Sequence, residues 1–464
     1  MDRAFKSIWF TPAALTLIVA AIFITYSNTF YVPFQFDDLT SIVENRELRS
    51  LGSVAARIHG PRGVSAFTFA LNYAFGGFNV TGYHAVNILI HTLNAIAAYF
   101  LVFQTLKLVD ETTEDWPAQH HFGRRGSLDI TISVNQSGAG RTRKIAFFAS
   151  LLFALHPIQT QAVTYIVQRQ ESLASLFYLA ALLFFIAGAR RTAGAGRTAL
   201  YTCAAASYAL AFHSKEMAFT LPAAVFLYDI YFISKGRIKA LSGRWPLYLA
   251  LIILMAIFLV RTVAPLISTA ALEPQHNAVT AQDLSVEAGK TKYRIPGITP
   301  LKKAPSAGFG VTNVSPKEYL LTQFNVIVYY LSLLVVPVNQ NIEYDFPISK
   351  DLFSSPAKNP GAILNIPILP PIVSLVILSA IIMIAVFLFF RSAKKSNPAM
   401  RTISFFILWF FILISPTSSV MPINDVIFEH RVYLASLGVF VIFVILIVRF
   451  FERLAAKPEK IGGA

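Results

Sequence analysis

Residues 367–390 read PILPPIVSLVILSAIIMIAVFLFF, a run of 24 residues without one charged side chain. As α-helix it would rise about 36 Å at about 1.5 Å per residue, more than the roughly 30 Å of a bilayer's hydrocarbon core. Working outward from it, apolar runs of comparable character lie at roughly 7–29, 84–107, 145–167, 171–189, 198–213, 217–233, 245–262, 402–420 and 432–450. Lipid offers no hydrogen bonds to a peptide group, so each run must satisfy its own backbone as helix. The expected fold is therefore all-α, a polytopic membrane helix bundle with about ten or eleven spans, the eleventh being 318–337.

The composition agrees. Of 464 residues, 55% are hydrophobic and 14% charged, against about 25% charged in soluble domains, and the mean hydropathy is +0.58. The first run follows Arg3 and Lys6 and leads into Pro33 with no small-residue cleavage site, so it reads as a retained helix. The single cysteine, Cys203, excludes an intramolecular disulfide framework and a cysteine metal site.

Lys and Arg number 39 against 24 Asp and Glu, a net charge of +15. The basic residues collect in short segments between apolar runs, as cytoplasmic loops do, and form no stripe interleaved with stacking aromatics, so nucleic acid is not an expected partner. Arg141, Arg143 and Lys144, Arg190, Arg191 and Arg197, Lys235 to Arg244, Arg391 to Arg401, and Arg449 onward all fall on one side if there are ten spans. The opposite, non-cytoplasmic face then receives 30–83, 168–170, 214–216, 263–366 and 421–431. The segment 318–337 would break this arrangement as a span, so it is expected to be re-entrant or interfacial, with Tyr319, Tyr329 and Tyr330 at the interface. Residues 108–144 read as a polar cytoplasmic loop, and 263–317, rich in Pro, Gly, Thr and Lys, as the cover of a site.

The outer loops hold the chemistry-bearing residues. FQFDDLT places Asp37 and Asp38 where the first helix leaves lipid. Adjacent carboxylates repel, and near apolar surface one tends to hold its proton longer, which suits a base or a cation ligand; a helix N-cap is the plainer alternative. His156, Arg169 and Glu171 follow the third run, His213, Lys215 and Glu216 sit between the fifth and sixth, and Asn424, Asp425, Glu429, His430, Arg431 and Tyr433 open the last. Arg169, Lys215 and Arg431 could cradle a phosphate, or pair with Glu171, Glu216 and Glu429 to lock helices. His84, Asn87 and His91 share a helical stripe, best read as interhelical hydrogen bonding. No metal ligands are assigned, although paired acids leave a divalent cation open.

These residues fall in six ordered blocks: QFDD at 35–38, FTFALNYAFGGFNVTGYHAVNILIH at 67–91, LHPIQTQAVTYIVQRQESLAS at 155–175, SKEMAFTLPAAVFLYD at 214–229, YYLSLLVVP at 329–337 and EHRVYLASLG at 429–438. Together they resemble the transmembrane and tetratricopeptide-repeat family of protein O-mannosyltransferases and its bacterial relatives, of the GT-C class. The resemblance implies a GT-C fold over the whole chain, a polyprenyl-phosphate-sugar donor entering from the bilayer, and an acidic pair in the first outer loop. Asp37 then looks like the catalytic base and Asp38 its partner, with Arg169, Lys215 and Arg431 on the basic positions and His84, His156, Glu171, Glu216, Glu429, His430 and Tyr433 in support. Family members continue into tetratricopeptide repeats, whereas this sequence ends at Ala464 in a basic tail. A separate partner protein could therefore present the acceptor, which could be a protein or a glycan, and mannose need not be the sugar. The expected location is a bacterial inner membrane with the site facing the periplasm, or the endoplasmic reticulum in a eukaryote. A flippase for lipid-linked sugars is the main rival, but neither inverted repeats nor paired broken helices are visible; a scaffold of a glycan assembly complex is a third reading.

Overall fold

A computed structural model describes residues 5, 7, 9–114, 131–271, 307–356, 368–395 and 397–455. The main helices are α1 (Phe10–Tyr26), α2 (Gly63–Gly76), α3 (Val80–Glu114), α4 (Thr131–Leu155), α5 (Arg169–Ala189), α6 (Ala195–Ser214), α7 (Leu221–Tyr228), α8 (Trp245–Ala271), α9 (Pro316–Leu333), α10 (Pro371–Lys395), α11 (Pro398–Ile414) and α12 (Ser436–Ala455). Among the described residues the only extended pairing is a bridge between Ala307 and Ile423. The chain is an integral, multi-pass membrane protein of all-α architecture.

Each of the ten apolar runs is largely helical, although 145–167 breaks at His156. Among the described residues six helical segments are long and apolar enough to cross a membrane by themselves, and a seventh if Gly138–Leu155 and Pro157–Thr164, bent by 53°, count together. The others miss for physical reasons. α11 has 17 residues, and the last turns of α12 carry Arg449, Glu452 and Arg453. Outward faces identify the solvent. Along α10, Val376, Met383, Phe387 and Phe390 are each more than half exposed, a stripe that water would drive into contact with something else and that acyl chains accept.

Inside, aromatic rings carry the contacts between helices. Tyr228 of α7 meets Phe405 of α11 edge-on at 5.5 Å, and Tyr178 of α5 meets Trp409 at 5.8 Å. The indole N–H of Trp409 donates to the Leu434 carbonyl at 3.1 Å, tying α11 to the turn before α12. Polar residues on α3 perform a similar task. His91 joins the Tyr433 hydroxyl at 2.7 Å and the Ala154 carbonyl at 2.9 Å, Asn87 donates to the Val163 and Ile166 carbonyls, and His84 meets the Val32 carbonyl. The histidine stripe is thus interhelical hydrogen bonding.

Charge separates the two ends. Just before the apolar stretch of α4, Arg143 donates to the Phe5 and Ser7 carbonyls and Arg141 pairs with Glu452 of α12 at 3.2 Å. Arg244 pairs with buried Asp229 at 2.5 Å. At the other end of α4, the helix stops at His156, whose ring Nδ1 accepts the Ile158 N–H at 3.2 Å, while Pro157 has no N–H to continue the ladder. The chain then makes a short helix, Thr160–Thr164, and a tight turn, Ile166–Gln168, before α5 begins. That detour builds one wall of the site described below.

Two of the three tyrosines of 318–337, Tyr319 and Tyr330, face the protein and not the interface. α9 packs inside the protein; Tyr319 and Tyr330 are fully buried and donate to the carbonyls of Thr417 at 2.6 Å and Phe428 at 2.8 Å. A phenol with a protein carbonyl in reach gains more from that bond than from headgroups. Of the expected cover 263–317, residues 272–306 lie outside the described residues.

Close helix approach makes one position testable. A Cβ on Gly438 would lie 2.5 Å from the Phe406 carbonyl oxygen, a backbone atom of α11 that cannot swing away. Gly438→Ala should therefore destabilise the protein by about 1–3 kcal/mol, the usual cost of overpacking. Thermal unfolding in detergent reads this out, and an unchanged midpoint would mean that α12 can slide off α11 freely.

Candidate active site

The extended stretch after α1 turns at Phe36, whose φ of +45° is left-handed. A bulky residue pays strain there, and such strain persists only where surroundings enforce it. Its effect is to point the two acids in different directions. Asp37 is exposed, its backbone N–H donates to the Tyr165 hydroxyl at 2.8 Å, and among the described residues its carboxylate has no hydrogen bond or ion pair. Asp38 turns inward, 1% exposed. Its Oδ1 accepts the Val167 N–H at 2.7 Å and its Oδ2 the Gln35 N–H at 3.1 Å. Burial pushes its carboxyl up to about 6, and the two N–H donors hold it back from going higher.

Asp38 lines a cleft of about 230 Å³ between the post-α1 stretch, the Pro157–Tyr165 wall and residues 340–342. Glu429 lines its other side. The Glu429 carboxylate accepts from the Gln340 side chain at 2.8 Å, from the Asn341 N–H at 3.1 Å and from the Tyr344 hydroxyl, and burial raises it above the usual glutamate range. Gln161 closes the back. It accepts from the His430 backbone N–H at 2.8 Å and meets the His430 ring at 3.0 Å, and it donates to the Ile342 carbonyl at 2.9 Å. The strip over the cleft is thus 340–342, within the large loop 263–366.

The expected phosphate cradle is not what the arginines and lysine form. Arg169 is fully buried at the start of α5, where it donates to Asn87 Oδ1 at 2.7 Å, Asn72 Oδ1 at 2.6 Å, the Tyr83 carbonyl at 2.9 Å and Thr68, with its plane 4.6 Å from the Phe69 ring. Neutral acceptors consume its fork, so it is a brace between α2, α3 and α5, because an unpaired buried cation would cost more than any ligand could return. Lys215 pairs with Glu171 at 2.9 Å and donates to Gln168 at 3.1 Å; burial pulls its ammonium below the lysine range while Glu171 partly offsets that. Glu216 pairs instead with Arg62 at 3.1 Å. Arg431 donates to the carbonyls of Val426 at 3.1 Å and Asp425 at 2.6 Å and has no carboxylate partner among the described residues.

These cations nevertheless converge. Burial keeps His430 well below its usual range, and Lys215, Arg431 and Arg62 all push it further down, so positive charge from three segments of the chain acts on one ring. Arg62 was invisible in the sequence, standing in an unremarkable GPRG turn at φ +55°. Tyr165, Gln161, Gln340, Asn341 and Tyr344 also escaped notice; the one available signal was the pair of amides in HPIQTQAV, inside an otherwise apolar run. Asn424 and Asp425 are exposed, and Tyr433 is buried on His91. His213 meets the Gly60 carbonyl at 3.2 Å and braces the Arg62 turn. Among the described residues no group of three or more His, Cys, Asp or Glu is placed to hold a metal.

Two measurements follow from this geometry. With its folded pKa near 6, Asp38 binds a proton more readily folded than unfolded, so ionising it costs stability; the cost is absent below about pH 4, grows through the window and is complete above about pH 6. The unfolding midpoint of wild type minus that of Asp38→Asn should therefore fall between pH 4 and 7, and a difference flat with pH would place the carboxyl in its ordinary range. Separately, Lys215→Ala strands buried Glu171 and should cost about 3–5 kcal/mol, whereas Lys215→Met with Glu171→Leu should cost much less. Additive losses in that double-mutant cycle would show that the pair is not coupled.

Comparison with known proteins adds a relationship. The chain is 29% identical over 240 residues to protein O-mannosyl-transferase TMTC3 of Homo sapiens, covering 48% of this chain and 22% of that protein. It is 26% identical over 238 residues to Tmtc3 of Drosophila melanogaster, 47% and 24% of the two chains, and 28% identical over 234 residues to human TMTC2, 46% and 23%. The match thus spans less than a quarter of each relative's length. No protein-family profile matches the chain, and no solved structure does. By sequence, the chain is a distant relative of the TMTC protein O-mannosyl-transferases.

Proposed function

We propose that this chain is a GT-C-type glycosyltransferase that moves a monosaccharide from a polyprenyl-phosphate donor to a hydroxyl acceptor at the cleft beside Asp38. One observation carries this reading: carboxylates from the loop after α1 and from the turn before α12 open on one cleft, at the same bundle end where Lys215, Arg62 and Arg431 gather around His430. The names of the relatives support a sugar transfer to protein, mannose among the candidate sugars. The reaction needs a base for the incoming hydroxyl and positive charge for the departing phosphate.

Asp37 is the proposed base. Its carboxylate is exposed beside the cleft wall and unpaired among the described residues, whereas both oxygens of Asp38 are engaged by backbone N–H groups. The acceptor oxygen forms a bond to C1 with inversion as its proton passes to Asp37; the bond from C1 to the phosphate oxygen breaks, and the electron pair leaves with the polyprenyl phosphate. The negative charge that grows on that phosphate is stabilised by the cations around His430, more in the transition state than before it. Arg431, bonded to two carbonyls and without a carboxylate partner among the described residues, can turn to a phosphate without breaking an ion pair, and Arg62 and Lys215 set the surrounding field.

The basic groups at the opposite end, Arg141, Arg143 and Arg244 among them, support a cytoplasmic location for that end by the positive-inside tendency. The cleft then faces the periplasm of a bacterial inner membrane, or the lumen of the endoplasmic reticulum. The acceptor is a protein or glycan hydroxyl, presented by a partner protein where this chain does not bind it directly.

Removing a general base costs about 10²- to 10⁴-fold in rate. Asp37→Asn should therefore lose that much transfer from a polyprenyl-phosphate sugar in reconstituted vesicles, with donor binding retained. Full transfer by the variant would end the assignment of Asp37.

A further inference from the structure

The lining of the cleft says more than proton transfer requires. Asp38, Glu429, Gln161, Gln340, Asn341 and Thr164 present carboxylates, amides and a hydroxyl to it, and no lysine, arginine or histidine is among the lining residues. Two carboxylates in so small a space repel a phosphate and attract neutral hydroxyl donors. The volume, about 230 Å³, lies below the roughly 300–1,000 Å³ of pockets that take drug-sized ligands, a scale that suits one sugar ring.

Glu429 is built for such contact. Its three protein donors all come from 340–344, two of them on Oε1 and one, from Gln340, on Oε2. An ionised carboxylate accepts about four hydrogen bonds, so one site on Oε2 is open while the group's orientation is fixed. Gln161 is held likewise by His430 and Ile342, with one amide hydrogen uncommitted. Held groups with open valences discriminate better than mobile ones.

Resting on the transferase reading, we propose that this cleft holds a single neutral pyranose ring, that Glu429 Oε2 accepts from one ring hydroxyl and so determines which sugar is taken, and that the phosphate stays outside, towards Lys215, Arg62 and Arg431. Glu429 is then a specificity-determining residue, distinct from the base. The ring and the phosphate of one donor are sorted by charge into adjoining compartments, with Gln161 and His430 between them.

The test uses the full chain in detergent and reads binding without turnover. Methyl α-D-mannopyranoside, the matching glucoside and galactoside, and the monodeoxy analogues of whichever binds are titrated while the unfolding midpoint is followed, since a ligand of the native state raises it. At least one glycoside should give a saturable rise, and one monodeoxy analogue should bind about 10- to 100-fold more weakly, the usual value of a hydrogen bond to a charged group. Glu429→Gln should weaken the parent glycoside by a similar factor and leave that one analogue unchanged. Inorganic phosphate should not compete.

The proposal is overturned if no glycoside raises the midpoint, if Glu429→Gln weakens every analogue equally, as a merely structural strap would, or if phosphate competes for the site. Should Glu429→Gln not fold, Thr164→Trp fills the cleft from its half-buried wall and must abolish the glycoside response; a response that survives overturns the proposal as well. Transfer activity without any glycoside response sinks the subsite and leaves the transferase standing. A glycoside response in a protein that transfers no polyprenyl-phosphate sugar does the reverse.

Discussion

Everything at the candidate site hangs from the carboxylate of Asp38. Its two oxygens take N–H groups from Gln35 and Val167, which joins the stretch leaving α1 to the turn that starts α5. The Asp37 N–H, bonded to the Tyr165 hydroxyl, adds a second tie between them, and both segments are short of regular structure there and owe their shape to what they touch. A buried carboxylate is costly, and burial is why its proton is held up to about 6. The cost is met by two backbone donors that would otherwise be orphans. Once the tie is made, Phe36 is forced into its left-handed turn and Asp37 is directed outward.

The fold was legible because lipid enforces a simple rule. An uncharged run such as 367–390 has one stable form in a bilayer, so the helices and their class could be read directly from hydropathy. Where the rule weakens, so did the reading. α9 is amphipathic and buried against protein, and its tyrosines answer to the carbonyls of Thr417 and Phe428, partners that lie some hundred residues away in sequence and leave no mark on 318–337 itself. The acids were legible as well, since a carboxylate at a span end needs a reason. Their division of labour was not, for it depends on the φ of one residue.

The cations show what residue type alone fails to decide. Arg169, Lys215 and Arg431 are alike in sequence as donors for a phosphate, yet folding gives them three different fates: a cage of amides and carbonyls, a closed pair with Glu171, and a pair of loop carbonyls. The difference lies in which acceptors the surrounding helices supply. Asn72, Asn87 and Thr68 make Arg169 a brace, a use better suited to a planar fork than to an ammonium. Arg62, by contrast, carried no sequence signal at all and reaches the cluster only because its turn is braced by His213.

Charge placement then becomes the organising feature of the whole bundle end. Carboxylates line the cleft and cations surround His430, and these opposite fields persist side by side because neither set neutralises the other. Glu171 and Glu216 absorb Lys215 and Arg62 in part, while Glu429 is satisfied by Gln340, Asn341 and Tyr344 and leaves Arg431 without a carboxylate among the described residues. Had Glu429 paired with Arg431 two residues along, the cleft would have lost an acceptor and the cluster a cation free of any ion pair among the described residues. Neutral donors on 340–344 therefore do more than shape a wall. They keep an acid and a base of the same short turn apart, which is what a site needs if it is to hold a neutral ring beside a charged phosphate.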